Sequence, residues 1–428
     1  MTIPRRSLPI GLAFVFALGL VTATPDRAAA QSWLQWGGPS RDFQVAANGL
    51  HWKGAAPRQA WHRDLGDGYS AVIGDTSRLY VAFRRGDSLV AAALDAATGR
   101  TQWERVLEGG PGSNMFLDYG SGPNATPALA ADRLFLPTFN GVFHALDAKT
   151  GKTIWTRELW RELHGTFRDV GYSSSPLVIR DLVILPVGGS GKAMVAFRQS
   201  DGTTAWTSGD FGNAMSSPIL VDVEGESQII GLMVEGVAGF DPATGAQRWF
   251  HPHKTDYDVN ATTPVWDPKT KTLIVSSAYG AGARAIRLHR EGGKTIAIEA
   301  WYNRRLRVHH GNMLVIGDHV YGSSGDFGPA PLTALEIATG KVAWQDRTFP
   351  KVNMIHTGDR TILLDEDGRL ALATLTPAGL RVLQQAPILT KLSWTVPTLI
   401  GTRLYVRDRK TLVALDLEQA ASGSRADQ

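Results

Sequence analysis

The chain has 428 residues, 43% of them hydrophobic and 20% charged, with no cysteine and a formal net charge of +4. That is an ordinary globular composition, and the missing cysteine rules out disulfides and a lipid-modified N-terminal cysteine. Arg5, Arg6 and Arg27, set against Asp26, account for half of the charge, so the rest of the chain is too weakly basic for a nucleic-acid face.

The first element in chain order is an export signal. Arg5 and Arg6 precede the apolar run Leu8 to Val21, and Ala28-Ala29-Ala30 offers a cleavage site ahead of Gln31. Residues 1–30 are expected to be a signal peptide, since the run is short for a bilayer span and no later segment is apolar enough for one. A cysteine-free exported chain is expected in the periplasm or, equally exported, in the outside medium. Residues 31–57 read as an N-terminal extension, 58–418 as a repeat domain, and 419–428 as a flexible tail.

The repeat follows. Ala93-Leu94-Asp95-Ala96-Ala97-Thr98-Gly99 precedes Trp103, and Ala145-Leu146-Asp147-Ala148-Lys149-Thr150-Gly151 precedes Trp155. Weaker copies are Phe197 to Gly202 with Trp206, Phe240 to Gly245 with Trp249, and Leu335 to Gly340 with Trp344; Gly293 with Trp301 is a lengthened one. A tryptophan every 43 to 52 residues, with four strand-like runs per unit, predicts propeller blades. Asp opens the turn by accepting nearby backbone N–H groups, Gly closes it at positive φ, and Trp on the outer strand covers the neighbouring blade's turn.

A small polar cluster begins the innermost strand of each unit: Asn124-Ala125-Thr126-Pro127, Ser173-Ser174-Ser175-Pro176, Met215-Ser216-Ser217-Pro218, Ala261-Thr262-Thr263-Pro264 and Trp394-Thr395-Val396-Pro397. Gly68-Tyr69-Ser70-Ala71 and His309-His310-Gly311-Asn312 hold equivalent places. Outer strands fall at Trp61, Trp103, Trp155, Trp206, Trp249, Trp301, Trp344 and, degenerately, Val382 to Ala386. The fold is therefore expected to be all-β, a single eight-bladed β-propeller, with seven blades as the alternative. The outer strand at Trp61 should complete a blade with the C-terminal strands of Ser393 to Leu417, closing the ring and hiding its sheet edges. A rigid ring of this size is expected to be monomeric.

The Ala-Leu-Asp-x-x-Thr-Gly-x-x-x-Trp repeat, spanning about Trp33 to Leu417, resembles that of pyrroloquinoline-quinone-like (PQQ-like) propellers. That group holds quinoprotein alcohol dehydrogenases, the outer-membrane assembly lipoprotein BamB and many exported proteins of no assigned activity. Gln35 to Phe43 and Val406-Arg407-Asp408-Arg409-Lys410 look most like the last branch. The resemblance implies the fold; one fold hosts many functions. The dehydrogenases' vicinal cysteine pair has no counterpart here, and no match to their calcium-binding Glu, Asn and Asp set or their catalytic Asp is found. No bound cofactor is expected on this reading, with PQQ and calcium as the alternative; in that case Arg305 or Arg168 would meet the quinone carboxylates.

Candidate chemistry lies on the loops that enter the inner strands and those that join second to third strands, which share one face around the channel. Arg304-Arg305-Leu306-Arg307-Val308-His309-His310 reads as an anion-binding mouth, or else as a strand with solvated arginines. Phe167-Arg168-Asp169 with Tyr172, and Asp326-Phe327-Gly328-Pro329, are candidates for a ligand cup. Tyr69, Asn124, Asp256, Asn260 and Trp394 complete the candidate channel-mouth set, which would take a protein partner or a small anionic ligand. Asn124 and Asn260 also match glycosylation sequons, which repeat register explains. His251-Pro252-His253 with Asp256 and Asp258 has metal-binding donor types in a spacing that fits no strong metal pattern. Gly188 to Lys192 and Tyr279 to Ala283 read as turns. The expected function is an exported, non-catalytic binding scaffold. Alternatives are a quinone-dependent oxidoreductase and a BamB-like assembly factor without the lipid.

Overall fold

A computed structural model describes residues 32–326, 328 and 330–419. The expected signal peptide and nearly all of the expected tail lie outside them. Among the described residues there is no helix; eight four-stranded antiparallel sheets stand in a ring, one of them carrying a fifth strand on its inner edge. Blade 1 comprises Ile73–Asp75, Arg78–Arg85, Ser88–Asp95 and Thr101–Leu107 from the axis outward. Blade 8 joins the C-terminal strands Thr398–Ile400, Arg403–Arg407 and Thr411–Asp416 to the outer strand Arg58–Asp64, so the two ends of the chain close the ring as the pattern predicts.

The repeat residues lock neighbouring blades together. Asp95 Oδ1 accepts bonds from the Thr98 N–H at 2.9 Å and the Thr98 hydroxyl at 2.6 Å, and Asp147 and Asp241 hold Thr150 and Thr244 in the same way. Gly151 closes its turn at φ +69°, with its Cα against the Trp103 ring of the preceding blade; a Cβ there would lie 2.5 Å from that ring. Gly99 meets Trp61, Gly202 meets Trp155 and Gly245 meets Trp206 in the same way. The indole N–H then donates to the next blade's turn, from Trp103 to the Ala148 carbonyl at 3.0 Å and from Trp155 to that of Gln199 at 3.0 Å. Opposite each tryptophan stands Ala or Gly, as Ala93 faces Trp103 and Gly239 faces Trp249. A larger residue there would displace the ring.

The exceptions have local causes. Blade 5 runs on into a long outer hairpin, Gly282–Glu291 with Lys294–Asn303, and there Trp249 donates within its own blade, to Gln228 at 2.8 Å. In blade 7, Gln384 holds the tryptophan position, and its amide clasps the Trp52 backbone on both sides at 2.8 and 3.0 Å.

Residues 32–57 are more than an extension. Ser32–Trp33 adds a strand to the inner edge of blade 1, and the chain then crosses the axis. Leu34 accepts a bond from Leu129, Arg41 donates to the Pro176 carbonyl at 2.7 Å, Trp36 donates to Thr263 at 2.9 Å, and Gln44 reaches Val315. Phe43 and Val45 bond His356, and Leu50–His51 pairs with Glu418–Gln419. Trp33, Phe43 and Leu50 are essentially buried by this path. The segment thus bridges six blades across the axis and closes the channel on the side of the short turns. On the opposite face the channel stays open as a blind cup.

Candidate functional site

The small polar clusters do two jobs. Two residues beyond the wall position, they knit adjacent blades: Ala71 N–H donates to Thr126, Thr126 N–H to Ser175, and Ser175 N–H to Ser217, at 2.9 to 3.0 Å. One position of each blade faces the axis and makes most of the wall: Tyr69, Asn124, Ser173, Met215, Ala261, His310, Lys351 and Trp394; in the extended chain side chains alternate, so Ser175, Ser217 and Val396, two residues on, line it as well. They enclose a cavity of about 530 Å³ whose inner end is Trp36 of the crossing segment.

A chain of aromatic rings runs along the cavity wall. Tyr257 lies edge-on to Tyr279 at 5.2 Å and Tyr279 to His309 at 5.0 Å, and His309 is tilted against His310 at 4.8 Å between ring centroids. His310 meets Trp394 at 4.4 Å, and Trp394 stacks on Tyr69 at 5.5 Å. The Tyr69 hydroxyl donates to the Tyr119 carbonyl at 2.5 Å, and Tyr119 packs edge-on to Phe116 at 5.5 Å. At the rim these rings emerge: Phe116, Tyr119 and Tyr257 are 42, 51 and 70% exposed.

Burial favours the neutral form of the two wall histidines. It lowers the His309 imidazole to about 4, aided by the nearby Lys351, and lowers His310 well below its usual value. The Tyr69 phenol is raised to about 12 by the same desolvation. Lys351, 8% exposed, is also lowered by burial, against the opposing pull of Glu366 and Asp326. Its Nζ lies 3.4 Å from His310 Nε2 and 5.9 Å from the centre of the Trp394 ring. The Trp394 indole donates to Glu366 at 3.0 Å.

Of the residues singled out from sequence, Tyr69, Asn124, His309, His310 and Trp394 meet on this wall. Asn124 also ties blade 2 to blade 3, donating to Val170 at 3.2 Å and Ser173 at 3.1 Å. Arg168, Asp169 and Asp256 stand around it and shape the rim. Arg168 donates to the Asp258 carbonyl at 3.1 Å, Asp169 accepts from the Phe116 N–H at 2.9 Å, and Asp256 donates its N–H to Tyr279 at 3.1 Å. Arg305 and Asp326 line a separate recess.

Two expectations are corrected. Tyr172 and Asn260 are fully buried and do not reach the cavity. Tyr172 donates to the Pro186 carbonyl at 2.8 Å, and Asn260 donates to Met233 at 2.7 Å and His253 at 3.1 Å. Each stands one residue before the wall position of its blade, Ser173 and Ala261, so alternation turns it into the blade. The sequon at Asn260 is therefore out of phase with Asn124. His253 belongs to the same buried network, 3.1 Å from the Ser277 hydroxyl, while His251 faces Glu299 at 3.4 Å. The His-Pro-His pair thus points to two different places.

Sequence reasoning missed Trp36, Phe116, Tyr119, Tyr279, Lys351 and Glu366. Lys351 was within reach, because it fills in blade 7 the place that Trp394 fills in blade 8. Trp36 was not, since nothing in its segment repeats.

PQQ with calcium, the alternative expected from sequence, would need oxygen ligands for the ion and cationic partners for the quinone carboxylates at this wall. Among the described residues no cluster of three His, Cys, Asp or Glu side chains is placed to hold a metal. Glu366 is engaged by Trp394, and neither Arg305 nor Arg168 lines the aromatic wall.

A family model described as outer membrane protein assembly factor BamB matches residues 86–346, more than half of the chain. The chain is 27% identical to the outer membrane protein assembly factor BamB of Salmonella typhimurium over 67% of its own length and 71% of that protein. It is 24% identical to the quinohemoprotein alcohol dehydrogenase ADH IIB of Pseudomonas putida over 69% of its length, but only 35% of the dehydrogenase. Among solved structures, BamB from Moraxella catarrhalis superposes with a TM-score of 0.60 at 20% identity, covering 84% of this chain and all of that one. The quinohemoprotein alcohol dehydrogenase of Comamonas testosteroni gives 0.63 at 14% identity, covering 94% of this chain and 82% of that one.

Proposed function

The chain belongs to the BamB family of PQQ-like propellers, and on that premise we propose that it is an exported, non-catalytic scaffold that holds a protein partner at its loop face. The observation that carries this reading is the aromatic cup. It is blind at Trp36, carries a run of rings along its wall, and is continuous with Phe116, Tyr119 and Tyr257 at its rim. Rings that are half exposed around a recess lose apolar surface to water until a partner covers them, and aromatic anchors set in recesses dominate protein interfaces. The relatives named as outer membrane protein assembly factors make the envelope the place to look for that partner, and components of outer-membrane protein assembly the first candidates.

Affinity purification of the tagged chain from its own envelope tests this. Assembly components are expected to accompany the wild type and to be lost with Tyr119→Ser and Tyr257→Ser together. Equal recovery with both forms would refute the loop face as the site.

A further inference from the structure

Beside the aromatic cup lies a second recess of about 680 Å³, lined by Gly280, Arg304, Arg305, Arg307, Asp326 and Arg347 among others. The two adjoin. Tyr279 faces the cup and Gly280 the recess, and the Lys351 amine on the cup wall lies 3.4 Å from the Asp326 carbonyl. Of the four arginines, Arg307 has an acidic partner, Asp326 at 3.5 Å. Arg304, Arg305 and Arg347 have no carboxylate within 4.0 Å among the described residues. Elsewhere some arginines are matched, as Arg63 and Arg85 share Glu104 and Arg248 spans Glu226 and Asp241, and others such as Arg180 and Arg381 stand singly among the described residues; the recess gathers three unmatched arginines around one cavity.

The backbone that carries these charges is held firmly. Leu306 and Val308 are fully buried and anchor the turn that follows the outer strand, while Arg305 is exposed and Arg307 half-buried beside them. The Arg305 N–H donates to Asn303 at 2.6 Å, and Asn303 donates in turn to the Gly340 carbonyl at 2.6 Å. The Ser324 hydroxyl donates to the Arg305 carbonyl at 2.6 Å and accepts the Arg307 N–H at 3.0 Å. Guanidinium groups on a pre-ordered backbone lose less freedom when they capture a carboxylate.

We propose that cup and recess form one bipartite site for an extended, acidic–aromatic segment of the protein partner. An aromatic side chain enters the cup, and carboxylates within the next few residues reach Arg304, Arg305 and Arg347. This rests on the partner-binding reading above and adds the chemistry of the segment. Asp326 inside the recess repels a dense polyanion such as a phospholipid surface and suits spaced carboxylates, each met by its own guanidinium.

The test uses the mature chain and a fluorescent hexapeptide with one tryptophan followed by three glutamates, read by anisotropy. Replacing the glutamates by glutamines is expected to weaken binding by about tenfold. Arg305→Glu with Arg347→Glu should do the same, and the doubly reversed variant should prefer a peptide with three lysines. Both arginines are exposed, and an unchanged melting temperature confirms that the variant is folded. Equal binding of the glutamate and glutamine peptides would overturn the proposal, as would no binding of either. Arginine-dependent binding to phosphatidylglycerol vesicles that displaces the peptide would also overturn it, in favour of a lipid headgroup. None of these outcomes alters whether Tyr119 and Tyr257 contact a partner, so failure of the segment chemistry and failure of the loop face are separately readable.

Discussion

The two faces of the ring are built on opposite plans. On the turn face one device recurs from blade to blade: an Asp–Thr clasp, a glycine at positive φ, and a tryptophan from the preceding blade lying on it. On the loop face the side chain presented to the axis changes from blade to blade. One wall position is filled in turn by Tyr69, Asn124, Ser173, Met215, Ala261, His310, Lys351 and Trp394. Contacts that hold blades together must fit the same geometry each time, and so they repeat. Contacts that recognise something else need not, so variation at a fixed position marks the face that is directed outward.

The comparison can be broken most sharply from the turn face. Trp155→Ala removes a nearly buried ring packed against Phe135, Phe143 and Phe197. It is expected to cost about 3–5 kcal/mol, read by chemical denaturation. Gly151→Ala comes next. Its φ of +69° disfavours any side chain, and the Cβ would push against the Trp103 ring, for a loss of about 1–3 kcal/mol. A smaller loss would mean that the glycine–indole contact is incidental.

Acid should separate the faces. Burial lowers His253 to about 3 and His309 to about 4, from 6.5, both beneath the loop face. The unfolded chain therefore binds more protons between those values and 6.5, and stability falls as pH drops below 6.5 through that window. The turn-face carboxylates Asp95, Asp147 and Asp241 are lowered by their threonine bonds or by those with Arg248, so their contribution is present above 3.8 and fades only below it. Amides around His253 and His309 should thus lose protection between pH 7 and pH 5, once the intrinsic pH dependence of exchange is divided out, while amides of the Asp–Thr turns hold, and His253→Gln should flatten the difference. The smallest stability effect belongs to Tyr257→Ser, which removes a ring 70% exposed and should shift stability by less than about 0.5 kcal/mol. The same change should still impair partner recovery.

This division also explains what could be read in advance. The turn face was legible because Asp95, Gly99 and Trp103 return as Asp147, Gly151 and Trp155, and a repeated pattern reports its own geometry. Ring closure followed from counting, with Trp61 lacking inner partners and Ser393 to Leu417 lacking an outer strand. The loop face was legible only in phase. Tyr69, Asn124 and Trp394 were found because they sit where a repeat begins, while Tyr172 and Asn260 were misplaced by the one residue that reverses a side chain in an extended strand. Trp36 could not be found from pattern, because the segment that closes the channel occurs once and touches many blades. Tyr119 and Tyr279 belong to connections whose course depends on their neighbours.

The central claim is that the aromatic loop face meets a partner and the ring's outer wall does not. The most direct measurement places a photo-crosslinking phenylalanine analogue at Tyr119 and Tyr257 on the loop face, and at Val106 and Ile298 on the outer strands, in the native envelope. Val106 and Ile298 are as apolar and as exposed, at 66 and 51%. The account predicts a discrete adduct, shared by the two loop-face positions and missing from the other two. Adducts at Val106 or Ile298 with none at Tyr119 and Tyr257 would contradict it.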